Sequence, residues 1–136
     1  MRKTNKYKQS SPIKEFSINE LREIGHLLNE YCKTNLGVKK SKGLPTFTVR
    51  KDKTLSCYGE FNDRVHKIYL FYNVIPNLKF FVRTFIHEYT HSLQNLRHYQ
   101  SHLIRFGYTQ HPDEVQARQT EMFHYREAIK YIKSKI

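Results

Sequence analysis

The chain has 136 residues, 24 Lys and Arg against 12 Asp and Glu, a net charge of +12, and 38% hydrophobic residues with a mean hydropathy of −0.74. Ten Tyr and nine Phe offset the low hydrophobic share, so one compact domain is expected rather than a disordered chain. No apolar run approaches the roughly 18 residues of a membrane span, and two distant cysteines, Cys32 and Cys57, give neither a disulfide framework nor a CxxC zinc ribbon.

Residues 1–16 are basic, lack the apolar segment of a signal peptide, and read as a flexible lead-in to a single domain over 17–136. A soluble, cytoplasmic, monomeric protein is the expectation. Ser17 and Glu20 have capping-box spacing, so a first helix begins there. Leu21, Ile24, Leu27, Leu28 and Tyr31 recur at helical intervals, and Gly37 supplies a stop. Thr46 to Arg50 reads as a strand. Leu55 to Phe61 and Val65 to Tyr72 read as a hairpin turning at Asn62 and Asp63.

A second helix is predicted from Pro76 or Asn77 to at least Leu96, with Leu78, Phe81, Val82, Phe85, Ile86, Tyr89, Leu93 and Leu96 as its apolar stripe. Residues 98–110 are ambiguous, with a break at Gly107. Pro112 opens a last helix, with Val115, Met122, Tyr125, Ile129 and Ile136 along one side. The expected fold is α+β: a small antiparallel sheet packed on the second helix and two further helices.

That second helix carries His87-Glu88-Tyr89-Thr90-His91, an HExxH motif. Positions i and i+4 project nearly together from a helix, so both imidazoles can reach one Zn²⁺ at about 2.0–2.1 Å. Glu88 lies beside them, placed to take a proton from a zinc-activated water. With Val82 marking the apolar stripe, His87 and His91 fall about 140° and 180° away from it. The pair therefore faces away from the main core, on a second face shared with Phe80 and Thr84. A helix between a core and a cleft suits an active site.

Catalytic zinc takes three protein ligands and leaves one position open. Gln94 and Arg97 stand where a metzincin needs glycine and histidine, so that class is excluded. His98 lies about 10 Å along the axis from His91, too far to share its metal. Glu114, in the first turn of the last helix, projects to the same side as Tyr125 and Ile132 and is the preferred third ligand. Glu121, on nearly the same side two turns later, is the reserve, with His102 and His111 behind it.

HEYTH followed by Glu114-Val115-Gln116-Ala117 resembles the gluzincin-type metallopeptidases, in particular the minimal phage and bacterial domains of the ImmA/IrrE-like group. The resemblance covers roughly residues 55–128. It implies a zincin-like fold, one zinc per chain on His87, His91 and Glu114, Glu88 as general base, and a protein or peptide substrate. It also implies that the strand through Lys67, Ile68, Tyr69 and Leu70 lines the cleft, where an extended peptide can add to the sheet. Larger gluzincins carry an acid four residues after the third ligand to support a histidine. Arg118 stands there, so that support is unassigned. Tyr108 and His111 are the candidates for stabilising the oxyanion.

Two other readings stay open. The charge of +12 suits weak nucleic-acid association, as in SprT-like proteases, but the third histidine of that group has no counterpart and the cations are spread along the chain. A catalytically idle metal-binding regulator is the other.

Overall fold

The computed structural model describes residues 6–136. It is an α+β fold of four helices, α1 (Ile18–Leu36), α2 (Leu78–Leu93), α3 (Tyr99–Gln110) and α4 (Pro112–Lys135). They pack with three strands, β1 (Thr46–Arg50), β2 (Gly59–Asn62) and β3 (Lys67–Phe71). No helix among the described residues is long and apolar enough to cross a membrane.

The stretch before α1 is not a free lead-in where it is described. Tyr7, Ile13 and Phe16 are buried, and Pro12 bridges to Asn77. The N–H groups of Leu78 and Lys79 donate to the carbonyls of Ser11 and Gln9, both at 2.9 Å. The Asn77 side chain accepts from Phe80 N at 3.0 Å. The segment thus satisfies amides that the first turn of a helix leaves without partners, and residues 6–16 belong to the domain. Residues 1–5 of the expected flexible segment lie outside the described residues.

The capping box at α1 forms as the sequence predicts. Glu20 N donates to Ser17 Oγ at 3.1 Å and Ser17 N to the Glu20 carboxylate at 2.9 Å. Gly37, at φ +84°, ends the helix. Gly25 lets α1 press onto β1, since a Cβ there would lie 2.3 Å from the Phe47 ring. Phe47 in turn packs edge-on against Phe85 of α2, 5.6 Å between centroids.

The sheet is mixed, not antiparallel throughout. Its order is β1-β3-β2, with β1 parallel to β3 and β2 antiparallel to it. The hairpin is present but shorter than expected. Leu55 lies at φ +55°, and residues before Gly59 form a loop. Asp52 organises that loop by accepting from the N–H groups of Thr54 and Ser56, both at 3.2 Å. Asn73 clasps it from the side, accepting from Asp52 N at 2.7 Å. The loop gives the chain enough length to pass β3 and approach from its far edge, which leaves β1 and β3 parallel. Ile68 and Leu70 of β3 face the helices and are buried with Phe81, Val82 and Phe85.

α2 stops at Leu93, short of the predicted Leu96. A 3₁₀ turn, Leu96–His98, leads into α3, which breaks at Gly107 as expected. Gly107 has φ 73° and ψ 172°, a conformation essentially restricted to glycine. α4 buries Glu114, Ala117, Glu121, Tyr125, Ala128, Ile129 and Ile132, whereas Met122, expected inside, is 45% exposed.

Candidate metal centre

The second face of α2, which carries the two histidines, meets α4 on one side and the β2 edge, through Phe80 and Thr84, on the other. His87 and His91 sit one turn apart on it, both buried, with ring centroids 5.0 Å apart. The first turn of α4 brings Glu114 to them. Its Oε1 lies 2.8 Å from His87 Nε2 and 3.2 Å from His91 Nε2. The three side chains predicted as ligands are therefore together, and their donor atoms converge on one point.

The far nitrogens of both rings are held. His87 Nδ1 lies 2.8 Å from Glu121 Oε1, and the other oxygen of Glu121 accepts from Arg83 Nε at 2.8 Å. His91 Nδ1 lies 2.6 Å from Gln94 Oε1. The Gln94 amide is fixed in turn, donating to the Asp113 carbonyl at 2.9 Å and to Gln116 Oε1 at 2.8 Å. A carboxylate and an amide oxygen can only accept, so each neutral imidazole carries its proton on Nδ1 and turns an Nε2 lone pair inward. Two lone pairs and a carboxylate oxygen facing one another need a positive charge between them.

Without a metal, protons supply it. Burial works to lower the His87 pKa, but the bonds to Glu114 and Glu121 outweigh it and hold the ring at about 9. His91 is raised by the same balance, with Glu114 its main partner. Burial pushes the Glu114 carboxyl up, but the two imidazoles and Tyr99 more than offset this, and it stays well below the usual carboxylate range. A metal ion held there would replace those protons. Ligands on one ion with bonds of about 2.0–2.1 Å sit about 3.3 Å apart, close to the spacings found. Two imidazoles and one carboxylate, with second nitrogens anchored, is a donor set suited to catalytic zinc.

Glu88 is not in this cluster. It lines a cleft of about 510 Å³ that the three ligand side chains also reach, together with Gly59, Phe61, Tyr99 and Tyr108. Burial, with the charges of Glu114 and Glu121, raises its pKa to about 7 against the opposing pull of the two histidines. A carboxylate of that pKa, free of a hydrogen-bonded partner among the described residues, can exchange a proton near neutrality.

The two candidate oxyanion helpers separate. Tyr108 lines the cleft and is 56% exposed, and burial with the charges of Glu114 and Glu88 pushes its pKa up to about 12, so it stays a hydroxyl donor. His111 is fully buried and its nitrogens are spent elsewhere. Its Nδ1 accepts from Asp113 N at 3.1 Å, capping α4, and its Nε2 lies 2.9 Å from the Tyr99 carbonyl. His111 is thus a helix cap, not an oxyanion helper. His102, His111 and Asp113 form a second cluster of potential ligand atoms. Using it would require breaking the cap. Glu121, the reserve ligand, instead supports His87.

Sequence reasoning did not find Gln94, Tyr99 or Arg83. Gln94 was visible only as the residue that excludes a metzincin, three positions after His91 and one turn along the same face. Tyr99 donates its hydroxyl proton to Glu114 Oε2, from a stretch whose structure the sequence left ambiguous. In comparisons with known proteins, no family model, no curated protein and no solved structure matches this chain.

Proposed function

We propose that this chain is a zinc-dependent hydrolase, a metallo-endopeptidase that binds one zinc through His87, His91 and Glu114. The observation that carries the reading is the convergence of His87 Nε2, His91 Nε2 and Glu114 Oε1, with both Nδ1 atoms anchored by Glu121 and Gln94. Bound there, zinc supplies Lewis acidity, which acidifies water and polarises a carbonyl. The chain supplies the rest. Glu88 takes the proton of the attacking water at the cleft wall and returns it to the leaving amine. Its pKa near 7 suits both transfers. Tyr108, a neutral hydroxyl in the same cleft, is the group available to donate to the carbonyl oxygen as charge develops there.

A peptide fits this cleft better than a nucleic acid does. Glu60, Asp63, Glu88 and Glu114 are among its lining residues and, among the described residues, no Lys or Arg is. Any weak nucleic-acid association driven by the net charge of +12 would therefore use another surface. Elemental analysis of protein purified without chelator tests the metal. One zinc per chain in the wild type and none in His91→Ala is expected, and a metal-free wild type after zinc supplementation would overturn the reading.

A further inference from the structure

Glu114 has two carboxylate oxygens, and the structure treats them differently. Oε1 faces both imidazoles, at 2.8 and 3.2 Å. Oε2 accepts the hydroxyl proton of Tyr99. Tyr99 is the first residue of α3, a helix with no buried residue, so nothing in the apolar core fixes the ring. Its orientation comes from His111. The two rings stack with centroids 4.0 Å apart at 33°. His111 Nε2 also lies 2.9 Å from the Tyr99 carbonyl, while its Nδ1 accepts from Asp113 N in the turn that bears Glu114. One histidine thus ties the start of α3 to the start of α4 and presents the Tyr99 hydroxyl to one oxygen of Glu114.

We propose that Tyr99, backed by His111, is a positioning residue that restricts Glu114 to ligation through Oε1 alone. This rests on the metal reading above. A carboxylate with both oxygens free could chelate an ion, and that fourth protein bond would crowd the position that water and substrate need, raising the coordination to five with water still bound. With Oε2 committed to a hydroxyl, Glu114 would contribute one bond and leave a position for water and substrate. Tyr99 lines that cleft but acts through Glu114.

The test is titration of the full chain with Co²⁺, which reports both affinity and coordination number through its visible absorption, for wild type, Tyr99→Phe and Tyr131→Phe. Phenylalanine keeps the stack on His111 and removes only the hydroxyl. Tyr99→Phe should bind about 10-fold more weakly, at the lower end of the usual range for lost outer-shell partners. Its visible bands should weaken as coordination rises above four. Tyr131→Phe, which loses only a hydroxyl bonded to Glu30 at the other end of α4, should match wild type in both. His111→Asn, which keeps a capping oxygen but loses the stack, should change the spectrum in the same sense as Tyr99→Phe. Tyr99→Phe with wild-type affinity and spectrum would overturn the proposal, as would equal losses in Tyr131→Phe. Wild type that binds no cobalt or zinc would overturn the metal reading itself, and is seen before any variant is compared.

Discussion

Glu121 stands two helical turns after Glu114 on α4, and its Oε1 holds His87 Nδ1 at 2.8 Å while its Oε2 takes Arg83 Nε. One helix face therefore delivers both a proposed ligand and the group that orients another. Arg83 holds the Glu121 carboxylate in place, so the imidazole is fixed in the tautomer that would offer Nε2 to a metal. Glu121→Ala should weaken zinc binding about 10- to 100-fold, read by competition with a chromogenic chelator. An unchanged affinity would show that His87 needs no such support.

Glu88 makes no hydrogen bond to the three proposed ligands among the described residues, so removing its chemistry should not remove the metal. Glu88→Gln keeps the side-chain shape but cannot accept a proton. The variant should retain a full complement of zinc and lose about 10²–10⁴ in rate on any peptide the wild type cuts. His87→Ala should lose both. Equal rates for Glu88→Gln and wild type would remove Glu88 from the mechanism.

Gly59 allows β2 to lie close to α2 at the edge of the cleft. A Cβ there would meet the Tyr69 carbonyl oxygen at 2.5 Å and Thr84 Cγ2 at 2.8 Å. The first contact is backbone, so the strand itself must shift. Gly59→Ala should destabilise the protein by roughly 1–3 kcal/mol, the range for overpacking. Thermal unfolding of the two proteins checks this, and an unchanged midpoint would show that β2 can move freely away from α2.

The parts of this structure legible in the sequence are those set by local chemistry. The Ser17 cap, the stop at Gly37, the break at Gly107 and the start at Pro112 each follow from the conformational habits of one or two residues. The histidine pair follows from helix periodicity alone. What was hidden depends on partners distant in the chain. The parallel pairing of β1 with β3 is decided by the path of residues 51–58, whose side chains advertise no strand order. Met122, expected on the inner side of α4, falls one position past Glu121 and turns outward, because the inner face is centred on Glu114, Glu121, Tyr125 and Ile132. The burial of Tyr7, Ile13 and Phe16 was missed because the basic residues around them read as solvated chain. Gln94 and Tyr99 acquire roles only once α4 is laid against α2.

The charge balance at the centre gives the metal-free protein a pH dependence opposite to that of zinc binding. The folded His87 pKa, about 9, lies above its ordinary value near 6.5, so the stability it contributes is complete below about 6.5 and is lost as pH rises through 9. His91, also raised, acts in the same direction. Glu88, raised to about 7, favours the folded state while protonated and loses that contribution as pH climbs from its ordinary range to 7. Glu114 has the reverse sign. Its carboxyl is held low, so its contribution is present above the usual carboxylate range and falls away only in acid. In chelator, the unfolding midpoint should therefore fall steadily between pH 6.5 and 9. Zinc must displace the protons on both imidazoles, so the rise in midpoint on adding zinc should grow over the same interval, with protons released on binding. Paired melting curves with and without zinc at each pH measure both trends. A metal-free midpoint that rises from pH 6.5 to 9, or a zinc increment that shrinks, would mean that His87 and His91 are neutral before metal arrives.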